Sequence, residues 1–430
     1  MQYPEANEVE KFKETELGSI PGSWRVKALD NEYIEFKNGL WTGKKGPYVK
    51  IRVLRNTNFN NDGSLRLVKV AELNVELKQF QTRKLSRGDI ILERSGGGPT
   101  QPVGRVVFFE IKDGLDYSFS NFTSRIRIID KEQIYSRYLF YFLLSFHLSG
   151  GTIDIQNRTT GIRNLDFLKY KNILIPIPPF REQEKIAFVL STIQEVKEKT
   201  DRVINALKEL KKSLMKHLFT YGSASLEEVE KVKLKETEIG MMPEEWEIKK
   251  LGDHCSYKTG KLNSEAGSTF GKYPFFTCSQ ETFRIDSYSF DQEALLLAGN
   301  NARGIYSVKY YNGKFDVYQR TYVLTIKNKN EVEYIFLLYE LERKLENLRN
   351  QSLGSTTQYL TAGIINGLEL AIPKVEEQRQ IASILSSIDE KIEKEENRKR
   401  ALKELFKSML HNLMTAKVRV NDLKLEVKNG

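Results

Sequence analysis

The chain has 430 residues, 29% charged, 40% hydrophobic and 11% aromatic, with a formal net charge of +10. That composition excludes disordered and fibrous classes, and the length calls for more than one domain. The basic excess makes a polyanionic partner such as nucleic acid plausible. No apolar run of about 18 residues and no signal-peptide core is found, so a cytoplasmic protein without membrane attachment is expected. Two cysteines, Cys255 and Cys278, and four histidines support neither a disulfide framework nor a zinc site, and Cys255 beside His254 reads as a small buried thiol.

In chain order, the first recognisable phrase is "KETELGSIPGSW", which carries a Gly-x-x-Pro-x-x-Trp entry at Gly18–Trp24. Strand patterns follow in "YVKIRVL", "GDIILE", "VGRVVFFE" and "SRIRIID", bounded by Gly, Asn and Asp turns. "SRYLFYFLLSF" at Ser136–Phe146 is a short apolar helix and is read as core. Between Asn31 and Asp130 basic residues outnumber acidic ones, and several sit beside amides and hydroxyls in turns. The candidates for contact with DNA are Lys44, Lys45, Arg52, Arg55, Asn56, Asn58, Arg94, Arg105, Arg158, Thr159, Thr160 and Arg163. Arg and Lys suit guanine and phosphate, and Asn suits adenine, although the same residues also serve ordinary turns.

The extended segment "ILIPIPPF" at Ile173–Phe180 then sets the start of a long helix. Ile186, Val189, Ile193, Val196, Val203, Leu207, Leu210 and Leu214 fall on steps of three and four, with Thr200 filling the one gap, as in a coiled-coil seam. The second half opens with "KETEIGMMPEEW", whose entry motif spans Gly240–Trp246, and continues with the strand patterns "EALLLAG", "GIYSVKYY" and "YVLTIK". Its candidate DNA contacts are Lys258, Lys261, Asn263, Asn300, Asn301, Arg303, Thr356, Thr357 and Gln358. "VEYIFLLYELERKLENL" reads as a core helix, and "LAIPKV" at Leu370–Val375 precedes a second long helix with packing positions Ile381, Ile384, Ile388, Leu402, Leu405 and Met409. Between Glu393 and Arg400 this helix has no apolar residue, and pairs such as Glu395 with Lys399 are expected to hold it.

The two long helices align without a gap from Glu182 and Glu377, and "ALKEL" recurs at Ala206 and Ala401. The entry motifs repeat as well, whereas the segments between the markers hardly align, so the chain is a tandem duplication with divergent middles. The expected fold is mixed α/β: two strand-rich domains with short helices, joined by two long helices that form an antiparallel intramolecular coiled coil and relate the halves by a pseudo-twofold; the alternative is that each helix caps its own domain or dimerises with another chain. The boundaries read from these markers are 1–178 for the first domain, 179–222 for the first long helix, 223–375 for the second domain, 376–416 for the second long helix and 417–430 for a tail.

Catalytic motifs are not evident. "RSGGGPT" at Arg94–Thr100 lacks the Gly-Lys-Ser/Thr of a P-loop, and "IPPF" has isoleucine where an adenine methyltransferase needs Asn or Asp. Asp89, Glu110 and Lys112 could be drawn as a nuclease metal site, but the second half offers no counterpart to Asp89. No metal ligand set is predicted.

The order of twin entries, unalike middles and twin helices, with "PPFREQEKIA" and "PKVEEQRQIA" at the helix openings, resembles the DNA-specificity subunit of type I restriction-modification enzymes over essentially the whole chain. That resemblance implies two target-recognition domains reading an asymmetric bipartite DNA site, with the helices fixing the distance between half-sites. It also implies two methyltransferase (modification) subunits as partners and, in a complete enzyme, restriction/translocase subunits. The chain itself would be non-catalytic and carry no cofactor, with S-adenosylmethionine, ATP and Mg2+ in the partner subunits. The competing expectation is a stand-alone coiled-coil DNA-binding scaffold or regulator.

Overall fold

The computed structural model describes residues 11–420 except 42–44, 99–100, 160–161 and 302–303, and gives the backbone but not the side chains of Arg158 and Thr159. The helices are α1 (Leu77–Arg83), α2 (Ser136–Leu148), α3 (Phe167–Lys171), α4 (Phe180–Tyr221), α5 (Leu251–His254), α6 (Tyr334–Gln351), α7 (Ala362–Asn366) and α8 (Val375–Met414). The chain forms two compact units, Met1–Lys199 with Lys399–Gly430 and Thr200–Arg398, so each unit takes half of α4 and half of α8.

In the first unit the strand Thr123–Ile128 lies between Ile34–Asn38 and Ile90–Glu93 and runs antiparallel to both. The two flanking strands are therefore parallel and end together, with Ser124 opposite both Asn38 and Leu92. A second sheet places Tyr48–Leu54 between Tyr117–Phe119, which is parallel to it, and Ala71–Glu76, which is antiparallel. All four residues of Ile90–Glu93 are buried, which explains its continuous apolar run in place of alternation. The apolar helix α2 packs into the main core beside Trp24, Ile186 and Leu190, and Leu410 and Leu413 of α8 enter the same core.

The second unit repeats this plan with unrelated side chains. Thr321–Ile326 lies between Cys255–Thr259 and Phe290–Ala298, antiparallel to both, and Tyr273–Phe276 runs parallel to Val308–Val317 in the same six-stranded sheet. Gly39 and Gly260 stand at the equivalent bend: an added Cβ would lie 1.8 Å from the carbonyl oxygen of Ser120 or of Val317, so only glycine permits either approach. Here α6 is the core helix, and Leu218 and Phe219 of α4 share its core with Ile381 and Leu385 of α8. Cys255 is buried there, and burial pushes its thiol up to about 12.

The start of α4 thus packs with the end of α8 in one unit, and the end of α4 with the start of α8 in the other, which is an antiparallel pairing. With 42 and 40 residues, the helices are each roughly 60 Å long. The buried stripe differs from the one expected. Val203, Leu210, Ile384 and Leu405 are exposed, while Leu190, Ile204 and Leu218 on α4 and Leu385, Ile392 and Leu413 on α8 are buried, and Thr200 is buried at its expected seam position. Ile186, Ile381 and Ile388 are buried as expected; Val189 and Met409 pack half-buried on the first core and Leu214 on the second; Ile193, Val196, Leu207 and Leu402 are half-buried. The stripe keeps its three-four spacing by accepting polar residues, so a search for apolar side chains alone slips one position, from Ile204 to Val203.

One such polar position is Lys211, whose Nζ lies 2.8 Å from Asp389, 3.1 Å from Glu342 and 4.9 Å from the ring centre of Tyr339. The Tyr339 hydroxyl donates to Asp389 at 2.8 Å. In the first unit Phe406 stands 195 positions after Lys211 and packs edge-on against Tyr141, whose hydroxyl donates to Gln194 at 3.3 Å. Lys208 bonds Glu396 at 2.7 Å, so in the apolar-poor stretch of α8 this carboxylate is used by the neighbouring helix.

Candidate nucleic-acid interface

The frame of each unit is one repeated set of buried hydrogen bonds. The indole N–H of Trp24 donates to Glu182 at 3.0 Å, and that of Trp246 donates to Glu377 at 3.0 Å. Gln183 accepts from the backbone of Tyr135 (2.8 Å) and donates to the carbonyls of Gln133 and Pro178 (both 2.9 Å). Gln378 accepts from Glu333 (2.9 Å) and donates to Glu331 (2.7 Å) and Pro373 (2.8 Å). The Glu-Gln pair at each helix opening therefore ties the entry segment and the loop before the core helix to the long helix. Glu182 also takes Arg419 (2.9 Å), and Glu377 takes the backbone N–H of Ser223 (3.1 Å). The paired carboxylate is what makes these burials tolerable.

Upon this frame each unit raises a small ribbon at the end of its central strands. In the first unit Ser95–Gly97 pairs with Ile162–Leu165, which pairs with Gln156–Thr159. Arg94 leads into it: its guanidinium donates to Asn38 (2.6 Å) and stacks on Phe167 at 4.0 Å, while its carbonyl accepts from Leu165 (2.8 Å). Its Nε is buried without a hydrogen-bond partner, and desolvation lowers its pKa. Asn56 donates to the carbonyl of Ser95 (3.2 Å), and a Cβ on Gly96, at φ +100°, would come 2.5 Å from that amide nitrogen. The hydroxyl of Ser95 donates to Asn164.

The second unit has the counterpart. Asn300–Asn301 pairs with Gln358–Tyr359, and Leu360 donates to the carbonyl of Gly299 (2.8 Å) as Leu165 does to Arg94. Leu165 and Leu360 are 195 positions apart, and the following residues, Asp166 and Thr361, cap α3 and α7 with their side chains. The ungapped repeat thus begins upstream of the long helix, a signal too short to emerge from residue identities.

Several expected contacts have other work. Arg105 is buried and clamps Glu93 through Nε (2.8 Å) and Nη2 (2.6 Å), with a further bond to the carbonyl of Phe59 (2.8 Å). Asn58 is buried, donating to the carbonyl of Arg66 (3.0 Å) and accepting from the backbone of Arg55 (3.0 Å). Arg52 faces Tyr117, Asp113 and Glu72. Arg105 and Asn58 are buried on internal partners and hold the loops, whereas Arg52 is only partly engaged and its side chain is 37% exposed. Asn263 accepts from Gln319 (2.9 Å). Lys45, Arg55, Lys258, Lys261, Thr356 and Thr357 are exposed, Arg163 is half-buried on the first ribbon, and Gln358 turns its Oε1 into a buried position beside Gly304. Lys44, Thr160 and Arg303 lie outside the described residues, as do the side chains of Arg158 and Thr159. Asp89 is bound by Arg127 through two 2.7 Å hydrogen bonds and Glu110 pairs with Arg137. Sequence reasoning missed Asn38, Ser95 and Asn164, whose roles come from strand pairing.

Two strand-rich units, each with an Arg- or Asn-bearing ribbon on a repeated frame, define a class of protein built to present two different polar surfaces. The chain belongs to the type I restriction modification DNA specificity domain family, whose model matches residues 9–209 and 243–404. It is 26% identical to the type I restriction enzyme MjaVIII specificity subunit of Methanocaldococcus jannaschii, over 96% of this chain and 97% of that protein. It is 37% identical to the EcoDI specificity subunit of Escherichia coli over 41% of this chain and 38% of that one. Its fold matches the crystal structure of the type I restriction-modification S subunit from M. genitalium with a TM-score of 0.61 at 17% identity, over 91% of this chain and 96% of that chain.

Proposed function

We propose that the chain is the non-catalytic DNA-reading subunit of a type I restriction-modification complex, with each unit reading one half of a split, asymmetric target. The observation that carries this is the contrast between an identical buried frame in both units and unlike ribbons upon it. Arg94, Asn56 and Asn164 hold the ribbon of the first unit and Asn300 and Asn301 lie on that of the second, so unlike side chains build the ribbon at the same structural place. Guanidinium groups suit guanine O6 and N7, and amides suit adenine, so two unlike ribbons select two unlike half-sites. Family membership supports partners of matching kind. Two methyltransferase subunits dock on the chain and transfer methyl groups from S-adenosylmethionine to adenine N6, and restriction subunits supply ATP- and Mg2+-dependent activity. Such a complex works in the cytoplasm. Among the described residues no helix is long and apolar enough to cross a membrane.

Co-expression with methyltransferase chains from the same genome tests this reading. A heteromeric complex that methylates adenines within a split, non-palindromic site is the expected result. Sequence-selective binding by the chain alone, with no complex and no methylation, would overturn it in favour of a stand-alone regulator.

A further inference from the structure

The sequence has three tryptophans, and two of them, Trp24 and Trp246, are fully buried in the frame. The third, Trp41, is 64% exposed. An indole left in water forgoes a large apolar burial and keeps its π-face open to a partner. Here the backbone is fixed. Leu40 is buried, donates its N–H to Phe119 (2.9 Å) and bridges to Ser120, and Gly39 makes the close approach described above. Arg83 donates through Nε to the carbonyls of Asn38 (2.9 Å) and Gly39 (3.2 Å), and the N–H of Trp41 donates to the side chain of Gln79 (3.2 Å). The indole is thus held out from an anchored strand end.

Its strand ends beside the residue that leads into the ribbon. Asn38, three residues earlier, accepts the hydrogen bond from Arg94, and the strands carrying Asn38 and Arg94 end at the same edge of one sheet. The carboxylate of Glu76 is engaged elsewhere, accepting from the backbone of Lys45 (2.7 Å) and the amide of Gln79 (3.1 Å). Tyr48, on the next strand, is also exposed. Aromatic faces beside Arg and Asn donors suit a nucleobase or deoxyribose, which stack on any π-face and need no matched hydrogen bond.

We propose that Trp41 is a DNA-contact residue of the first unit, its indole lying against the bases or sugars of the half-site read by the Arg94 ribbon. This rests on the proposed DNA-reading function. The buried tryptophans make the test direct, because collisional quenching by acrylamide reports on Trp41 above all. With the full-length chain and a duplex selected from a random pool by the chain with its methyltransferase subunits, binding is followed by anisotropy of labelled DNA, and Trp41 by quenching. The expected result is loss of acrylamide access to Trp41 on binding. W41A should weaken the selected duplex roughly fivefold to 150-fold, whereas W41F should retain most of the affinity. Unchanged quenching together with unchanged W41A affinity, while the duplex still binds, overturns the proposal and leaves the function intact. Protection of Trp41 by methyltransferase subunits without DNA, with W41A impairing assembly, overturns it in favour of a protein contact. Absence of selective DNA binding by both chain and complex overturns the functional reading as well.

Discussion

Replacing Gln378 by alanine removes a buried amide with three backbone partners: the N–H of Glu333 and the carbonyls of Glu331 and Pro373, at 2.7–2.9 Å. Each partner left unsatisfied costs about 1–3 kcal/mol, and a water entering the vacated space recovers part of that, so a loss of about 3–5 kcal/mol is expected. Gln183 makes the same three kinds of bond to Tyr135, Gln133 and Pro178, so Q183A should cost the first unit a similar amount. The two sites share no partner, and the double variant should lose the sum to within about 0.5 kcal/mol. Two units need not unfold as one, so hydrogen exchange resolved to the amides of Tyr135 and Glu333 is the appropriate assay, with urea denaturation as a check. Q378E would be at least as damaging as Q378A, since a carboxylate would face two carbonyl oxygens. A loss below about 1 kcal/mol in both alanine variants, with unchanged exchange at the two amides, would refute the idea that the Glu-Gln phrase is the frame's lock.

Three further outcomes can be checked. R105A should destabilise the first unit by about 3–5 kcal/mol in urea denaturation, and R105K should not rescue it, because buried Glu93 loses a two-pronged partner. Burial holds the His147 imidazole down to about 4, aided by the nearby Arg105 charge; the unfolded chain binds a proton that the folded unit rejects, so stability falls as pH drops from about 6.5 towards 4, by at most about 3 kcal/mol, and H147Q should flatten that part of the stability profile. K211F copies Phe406 into the second unit but strands Asp389 and Glu342; a loss of about 3 kcal/mol is expected, partly reversed in K211F/D389Q, where glutamine copies Gln194, and equal losses in the single and double variants would contradict the pairing.

Much of this molecule was legible before folding was considered. The duplicated phrases located the long helices, the strand patterns matched observed strands such as Tyr48–Leu54 and Thr321–Ile326, and the apolar runs at Ser136 and Tyr334 are core helices. These are local signals, set by periodicity and by proline and glycine at the ends. The functional surface was harder to read. Arg105 and Arg94 both stand near the glycine-rich loop, yet one is locked to Glu93 while the other leads into the ribbon.

What the sequence by itself determined is the repeated frame and the kind of side chain available to a DNA partner. What only the tertiary structure decided is which of those side chains are already committed, which face of each long helix is buried, and that Asn38, Asn56, Arg94, Ser95 and Asn164 converge. The physical reason is that hydrogen-bond commitment depends on partners as many as 237 positions away, brought close by strand pairing and helix packing, whereas helix and strand formation depends on neighbours a few residues off.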